Sequence, residues 1–229
     1  MTTTSNQPPA REGRVAVRVW QLPVRIIHWL LAASIVVLSL TGLYIGVPVL
    51  SPDGRHTPIM AYAHAVHVGA GLVFAGLLLA RVIFAFTGNR YARWDQFLPV
   101  RKEQRRMLKP SLRFYLFLSK EPPPATGHNP LAGLTYTVLF AMFLAQTFTG
   151  LALEAAEDRT GWTAVVSGWV DDLAPLGAVR FTHHLILWLT WGFVIHHVYS
   201  AVLMDNVERS GLVSSMITGI KHLPEDRDA

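Results

Sequence analysis

The sequence predicts an all-α membrane protein, a four-transmembrane-helix bundle with both termini cytoplasmic. Three observations predict it. Of 229 residues, 51% are hydrophobic and only 15% are charged, against roughly a quarter charged in soluble domains. Four apolar stretches each reach the ~20 residues that a helix needs to cross hydrocarbon, and they lack the polar face of a surface helix in a soluble protein. Basic residues crowd the N-terminal tail and one loop, which fixes the orientation. The length suits a single domain, read as a flexible N-terminal tail (1–19), a membrane domain (20–206) with a basic loop (87–129), and a cytoplasmic C-terminal tail (207–229).

The tail begins with Thr, Asn and Pro and continues through Arg11, Arg14 and Arg18. It does not read as a signal peptide, because the apolar segment after it is too long and lacks a small-residue cleavage site. The spans are expected over Ile26 to Val47, Ile59 to Phe86, Leu131 to Leu153 and Phe181 to Met204. Between spans two and three lie Arg90, Arg93, Arg101, Lys102, Arg105, Arg106, Lys109, Arg113 and Lys120, opposed only by Asp95, Glu103 and Glu121. The loop before span four carries Glu154, Glu157, Asp158, Asp171 and Asp172. The positive-inside rule therefore puts the basic loop and both termini in the cytoplasm and the acidic loop outside. A net charge of +5 is explained by topology and calls for no nucleic acid. Within the basic loop, Ser111 to Lys120, starting after Pro110, is amphipathic and suited to lie along headgroups, although charge that merely sets topology is the preferred reading of the loop. Pro122 to Pro124 resist helix. Spans one and three share a faint echo, SLTGLYIG (Ser39 to Gly46) and TFTGLALE (Thr147 to Glu154), too short to establish a duplication.

Cysteine is absent. That excludes thiolate-held iron–sulfur clusters, disulfides and covalent haem attachment. Any metal centre must use other ligands, and ten histidines are available. On span four, His183 and His197 are 14 residues apart. Fourteen steps of about 100° fall about 40° short of four turns, so both rings share one face, roughly 21 Å apart along the axis. One helix can thus offer an axial ligand to each of two stacked haems. The topology supplies the partners by depth. His67 and His183 lie in the outer half, whereas His28 and His197 lie in the inner half. Bis-histidine ligation by these pairs gives two low-spin b haems suited to electron transfer, built between facing helices of a bundle. A histidine in a span can instead merely hydrogen-bond to a neighbouring helix, but ionisable groups at such depth are rare and usually functional.

Other residues are weighed against simpler roles. His64, one turn from His67, is the main rival ligand. His184 and His196 sit about 100° from the ligand face, open to a propionate, a quinone or an interface. His56, His128 and His222 fall in loops or tails. Gly42, Gly69 and Gly71 offer room for a porphyrin or ordinary helix contacts. Arg25, Arg81 and Arg180 flank spans, where snorkelling to headgroups is preferred to pairing with propionates. Trp29, Trp188 and Trp191 read as belt or packing residues.

These residues carry a resemblance. RIIHWLLAASIVVLSLTG (Arg25 to Gly42) and HHLILWLTWGFVIHHVY (His183 to Tyr199) resemble the two signatures of the b-type cytochrome subunit of membrane-bound Ni,Fe-hydrogenases. GNRYAR (Gly88 to Arg93) and YLFLSKEPPPATGHNP (Tyr115 to Pro130) are similar to that family's cytoplasmic loop. The resemblance covers nearly the whole chain after the tail. It implies a subunit that anchors a periplasmic hydrogenase, of large and iron–sulfur small subunits, to the bacterial inner membrane. Such a subunit accepts electrons from the small subunit and passes them through haem to the quinone pool. It also implies His28, His67, His183 and His197 as haem ligands. His64 and His196 depart from the family pattern. The alternatives are the gamma cytochrome of a formate dehydrogenase, a free-standing dihaem cytochrome of the same superfamily, and, from another class, a non-redox membrane anchor.

Overall fold

The computed structural model describes residues 13–47, 57–116, 118–119, 130–157 and 159–224. Four of its helices are long and apolar enough to cross a membrane. They are α1 (Leu22–Gly46), α2 (Pro58–Thr87), α4 (Pro130–Ala155) and α7 (Leu176–Glu208). The first three match the expected spans to within a few residues. Helix α7 runs farther than the expected span at both ends: at its start Val179 is buried with Ala152 and Val170, and at its end the helix continues through Asp205 to Glu208. Local chemistry sets the ends. Pro23 and Pro58 occupy first-turn positions of α1 and α2, where the missing N–H costs nothing. The Thr57 hydroxyl caps α2 by accepting from the Met60 N–H at 3.3 Å. Helix α7 stops where Arg209 turns left-handed, at φ 50°.

Helix α1 packs against α2 and α4 against α7. The two pairs meet in a core of Phe74, Leu78 and Phe143, flanked by Leu31, Ile35, Leu38, Leu139 and Phe140. Phe74 and Phe143 touch edge to face, with ring centres 5.1 Å apart. Trp191 Nε1 of α7 donates to Ser39 Oγ of α1 at 3.0 Å, closing the bundle on its other side.

Shorter elements cover the ends. Helix α3 (Lys102–Tyr115) packs on α4. Its bounds correct the expectation of an amphipathic piece beginning after Pro110, which instead lies inside the helix. The N3 Gln104 side chain accepts from the Arg101 N–H at 3.0 Å, so the helix is fixed from its N-terminus. The completely buried Ser111 follows the proline and donates to the Met107 carbonyl at 2.7 Å. The acidic loop folds into α5 (Trp162–Ser167) and α6 (Trp169–Leu173).

The tails differ most from expectation. Arg14–Arg18, read as flexible tail, is a strand (β1), antiparallel to a second strand (β2, Ile220–Pro224) in the C-terminal segment. Helix α8 (Leu212–Thr218) precedes β2. The pairing is stabilised by what the strands rest on. Val19, Trp20, Val24, Tyr91 and Ala92 form a buried cluster, and Trp20 Nε1 donates to Ser215 Oγ at 3.0 Å. Gly219, at φ 84°, makes the turn from α8 into β2, and a Cβ there would lie 2.6 Å from the Trp20 carbonyl oxygen. Asn89, within GNRYAR, donates to the Val19 carbonyl at 2.9 Å. That motif therefore fastens the N-terminal segment to the end of α2.

Candidate haem sites between the helices

Helices α1 and α2 are antiparallel, and their register sets the levels of the site. Gly42 lies against His67, and Leu38 against Gly71. Continuing that register brings Arg81 level with His28. Helices α4 and α7 run past each other in the same way, with Gly150 against His183 and Tyr136 beside His197.

The structure brings the four histidines together in two pairs. The ring centres of His67 and His183 are 6.4 Å apart, and those of His28 and His197 are 6.3 Å apart. An imidazole nitrogen sits about 2.0–2.1 Å from a first-row metal and roughly 1.1 Å from its own ring centre, so a metal held between two rings separates their centres by roughly 6.2–6.4 Å. Both pairs therefore have the spacing that bis-imidazole ligation requires. The pairs stand 14 residues apart on α7, roughly 21 Å. Phe74 is seven residues from His67 along α2, so the Phe74–Phe143 contact lies about midway between the two levels.

The surroundings of the two pairs differ. Thr41 Oγ1 lies 2.9 Å from His67 Nδ1, and Thr149 Oγ1 lies 3.0 Å from His183 Nδ1. A Cβ on Gly42 would stand 2.9 Å from His67 Cε1, and one on Gly150 would stand 3.1 Å from His183 Cε1. Gln146 Nε2 approaches His183 Nε2 at 3.2 Å, so a metal at that nitrogen displaces the amide. In the other pair, His28 Nδ1 is buried without a hydrogen-bond partner among the described residues. His197 Nδ1 has the Tyr136 hydroxyl at 3.4 Å, and Phe193 stacks on its ring with centres 5.3 Å apart. These donor sets and glycine-cleared faces fit a haem held by two imidazoles at each level.

The remaining candidates are engaged elsewhere. His64 reaches α4, with Nε2 3.2 Å from Glu154 and 4.0 Å from Glu157. Among the described residues it does not join a histidine pair. His184 lies beside His183 at 6.3 Å between ring centres and would meet a Cβ on Gly46. His196 contacts Ser200 Oγ on an exposed face. His222 sits in β2, and His56 and His128 lie outside the described residues. Arg81 is buried, donates to the Ala92 carbonyl at 3.3 Å and lies over the Phe97 ring. Its Nη1 has no partner among the described residues. This corrects the preferred reading of Arg81 as a snorkelling residue, because the loop after α2 closes over it. Arg25 hydrogen-bonds the Ile217 carbonyl, while Arg180 is exposed. Gly69 meets nothing within 4 Å and Gly71 makes only an ordinary contact, whereas Gly42 abuts a histidine.

A model of the prokaryotic cytochrome b561 family matches residues 19–219. The chain belongs to this family. The cytochrome is 39% identical to a probable Ni/Fe-hydrogenase B-type cytochrome subunit of Azotobacter vinelandii, over 99% of this chain and 97% of the relative. It is 38% identical to the protein so named in Bradyrhizobium diazoefficiens, over 90% and 86%. It is 36% identical to the corresponding hydrogenase 1 subunit of Escherichia coli, over 89% of each. The cytochrome is thus a multi-pass membrane protein of the b type, with haem b as its cofactor. Thr41, Thr149, Tyr136 and Gln146 were not singled out by sequence reasoning. The only signal for the two threonines was the Thr-Gly echo between spans one and three.

Proposed function

We propose that the cytochrome carries electrons from a Ni/Fe-hydrogenase in the periplasm to the quinone pool of the bacterial inner membrane, through two bis-histidine haem b groups. The observation that carries this reading is the pair of facing histidines at each of two levels, with α7 contributing to both. His67 and His183 would hold the outer haem, and His28 and His197 the inner one. Each haem supplies reversible one-electron chemistry at iron, and two strong imidazole ligands leave no open position for oxygen. The chain's own residues do the rest. Thr41 and Thr149 orient the outer rings, Tyr136 and Phe193 confine His197, and Phe74 with Phe143 fills the space between the levels and keeps water out. Arg81, a buried cation level with His28, suits a propionate. The names of the relatives support a Ni/Fe-hydrogenase as the electron donor, and the sequence resemblance implies its iron–sulfur small subunit as the point from which electrons enter. The basic loop supports an orientation with α3 in the cytoplasm. Quinone would be reduced near the inner pair, where His196 faces outward from α7.

Haem per chain, measured by pyridine haemochrome on the purified protein, tests the reading. Wild type is expected to hold two b haems, and His28→Ala and His67→Ala one each. Copurification with a nickel-containing large subunit identifies the donor. A protein whose reduced-minus-oxidised spectrum lacks a b-type band is a non-redox anchor, and the proposal then fails.

A further inference from the structure

The Thr-Gly echo acquires a meaning in three dimensions. Thr41-Gly42 on α1 faces His67 of α2, and Thr149-Gly150 on α4 faces His183 of α7. The two dipeptides sit on different helices, yet each meets its histidine in the same way. The threonine oxygen is at Nδ1, and the glycine clears the Cε1 edge. We propose that these two Thr-Gly pairs form a matched cradle that fixes both histidines of one haem with Nδ1 protonated and Nε2 turned to the iron. The cradle thereby holds that haem's reduction potential below the value it would otherwise have.

The chemistry follows from where the hydroxyl protons go. A hydroxyl has one proton and two lone pairs. Thr41 Oγ1 lies 2.8 Å from the Val37 carbonyl oxygen and 3.3 Å from that of Leu38. Thr149 Oγ1 lies 2.7 Å from the Ala145 carbonyl oxygen and 3.1 Å from that of Gln146. Carbonyls only accept, so each hydroxyl spends its proton on its own helix. Its oxygen then accepts from Nδ1–H of the histidine. A neutral imidazole protonated at Nδ1 presents its lone pair at Nε2. Gln146 agrees, because its amide nitrogen lies 3.2 Å from His183 Nε2 and treats that nitrogen as an acceptor.

An acceptor on Nδ1–H makes the imidazole a stronger donor to iron and favours the ferric state. The His28–His197 pair has no such arrangement. His28 Nδ1 is unpartnered among the described residues, and Tyr136 stands 3.4 Å from His197 Nδ1. The effect of the threonines therefore belongs to one haem of the two. Thr41 and Thr149 are positioning residues that act through the histidines.

The inference rests on the ligation proposed above, and its test separates the two. Thr41→Val, Thr149→Val and the corresponding serine variants are purified as full chains. Haem content is measured by pyridine haemochrome, potentials by spectroscopic redox titration, and ligand geometry by EPR of the ferric haems. Each valine variant is expected to move one of the two redox components upward, leave the other in place, and alter one low-spin EPR signal. Serine, which keeps the hydroxyl, restores both readouts. Loss of one haem in a valine variant with full recovery in the serine variant also supports the cradle. Unmoved potentials, an equal shift of both components, or serine behaving like valine would overturn it. If His67→Ala and His183→Ala retain two haems, the ligation itself is wrong. If each loses one haem while the valine variants are silent, the cradle alone fails.

Discussion

A single methyl group at residue 42 separates two uses of small residues in this bundle. The β-carbon of an alanine there would stand 2.9 Å from Cε1 of His67, on a ring already bonded at Nδ1 to Thr41. The ring cannot yield without breaking that bond. Gly42→Ala is expected to lower the content of the haem held by His67 and His183 and leave the other haem intact. Gly69→Ala, which meets nothing within 4 Å, is expected to retain both. Pyridine haemochrome of the two variants checks this, and equal haem loss in both would refute it. From sequence, Gly42, Gly69 and Gly71 were indistinguishable. Whether a glycine touches a ring depends on the neighbouring helix and its register, which no single span encodes.

Helix α7 is the element on which both levels depend. It has no proline between His183 and His197, and Gly192, the one glycine there, stays within the helix, so the two rings are related through one hydrogen-bonded cylinder. An alanine inserted between Thr190 and Trp191 turns His197 by about 100° relative to His183 and displaces it by about 1.5 Å. Trp191 rotates with it, away from Ser39. The expected outcome is one haem per chain in place of two. A variant that keeps two would show that the spacing of α7 does not set the pairs. The same periodicity made this element legible in the sequence, because ring placement within one helix follows from residue count alone. Helix α3 was less legible. Its start is fixed by Arg101 and Gln104, its Ser111 is fully buried, and the helix packs on α4, and together these outweigh the local preference of Pro110 to end a helix.

The whole molecule is a membrane bundle whose two terminal segments are clasped at one end. Strands β1 and β2 pair segments about 200 residues apart. They rest on Trp20, Tyr91 and Ala92 beside the start of α1 and the end of α2. The clasp and α3 thus share one side of the membrane, and α5 and α6 occupy the other. The absence of cysteine makes this arrangement directly testable. A single cysteine at Arg106, on the exposed face of α3, is expected to react with an impermeant maleimide only after the cytoplasmic side is opened. One at Asp172, exposed in α6, is expected to react in intact cells stripped of their outer membrane. The reverse pattern would invert the proposed path of electrons.

The four spans are legible in the residues alone, because crossing hydrocarbon requires long apolar helices and little else satisfies the backbone. Which histidines share a level is legible there too, because successive spans alternate in direction and helical rise sets depth within each. What each ring touches is set by the packing of the helices. The two threonines at Nδ1, the union of His64 with Glu154, the enclosure of Arg81 and the pairing of the tails all arise between segments distant in the chain. Such contacts depend on the rotation and offset of one helix against another, and those are fixed by side-chain packing over the whole bundle.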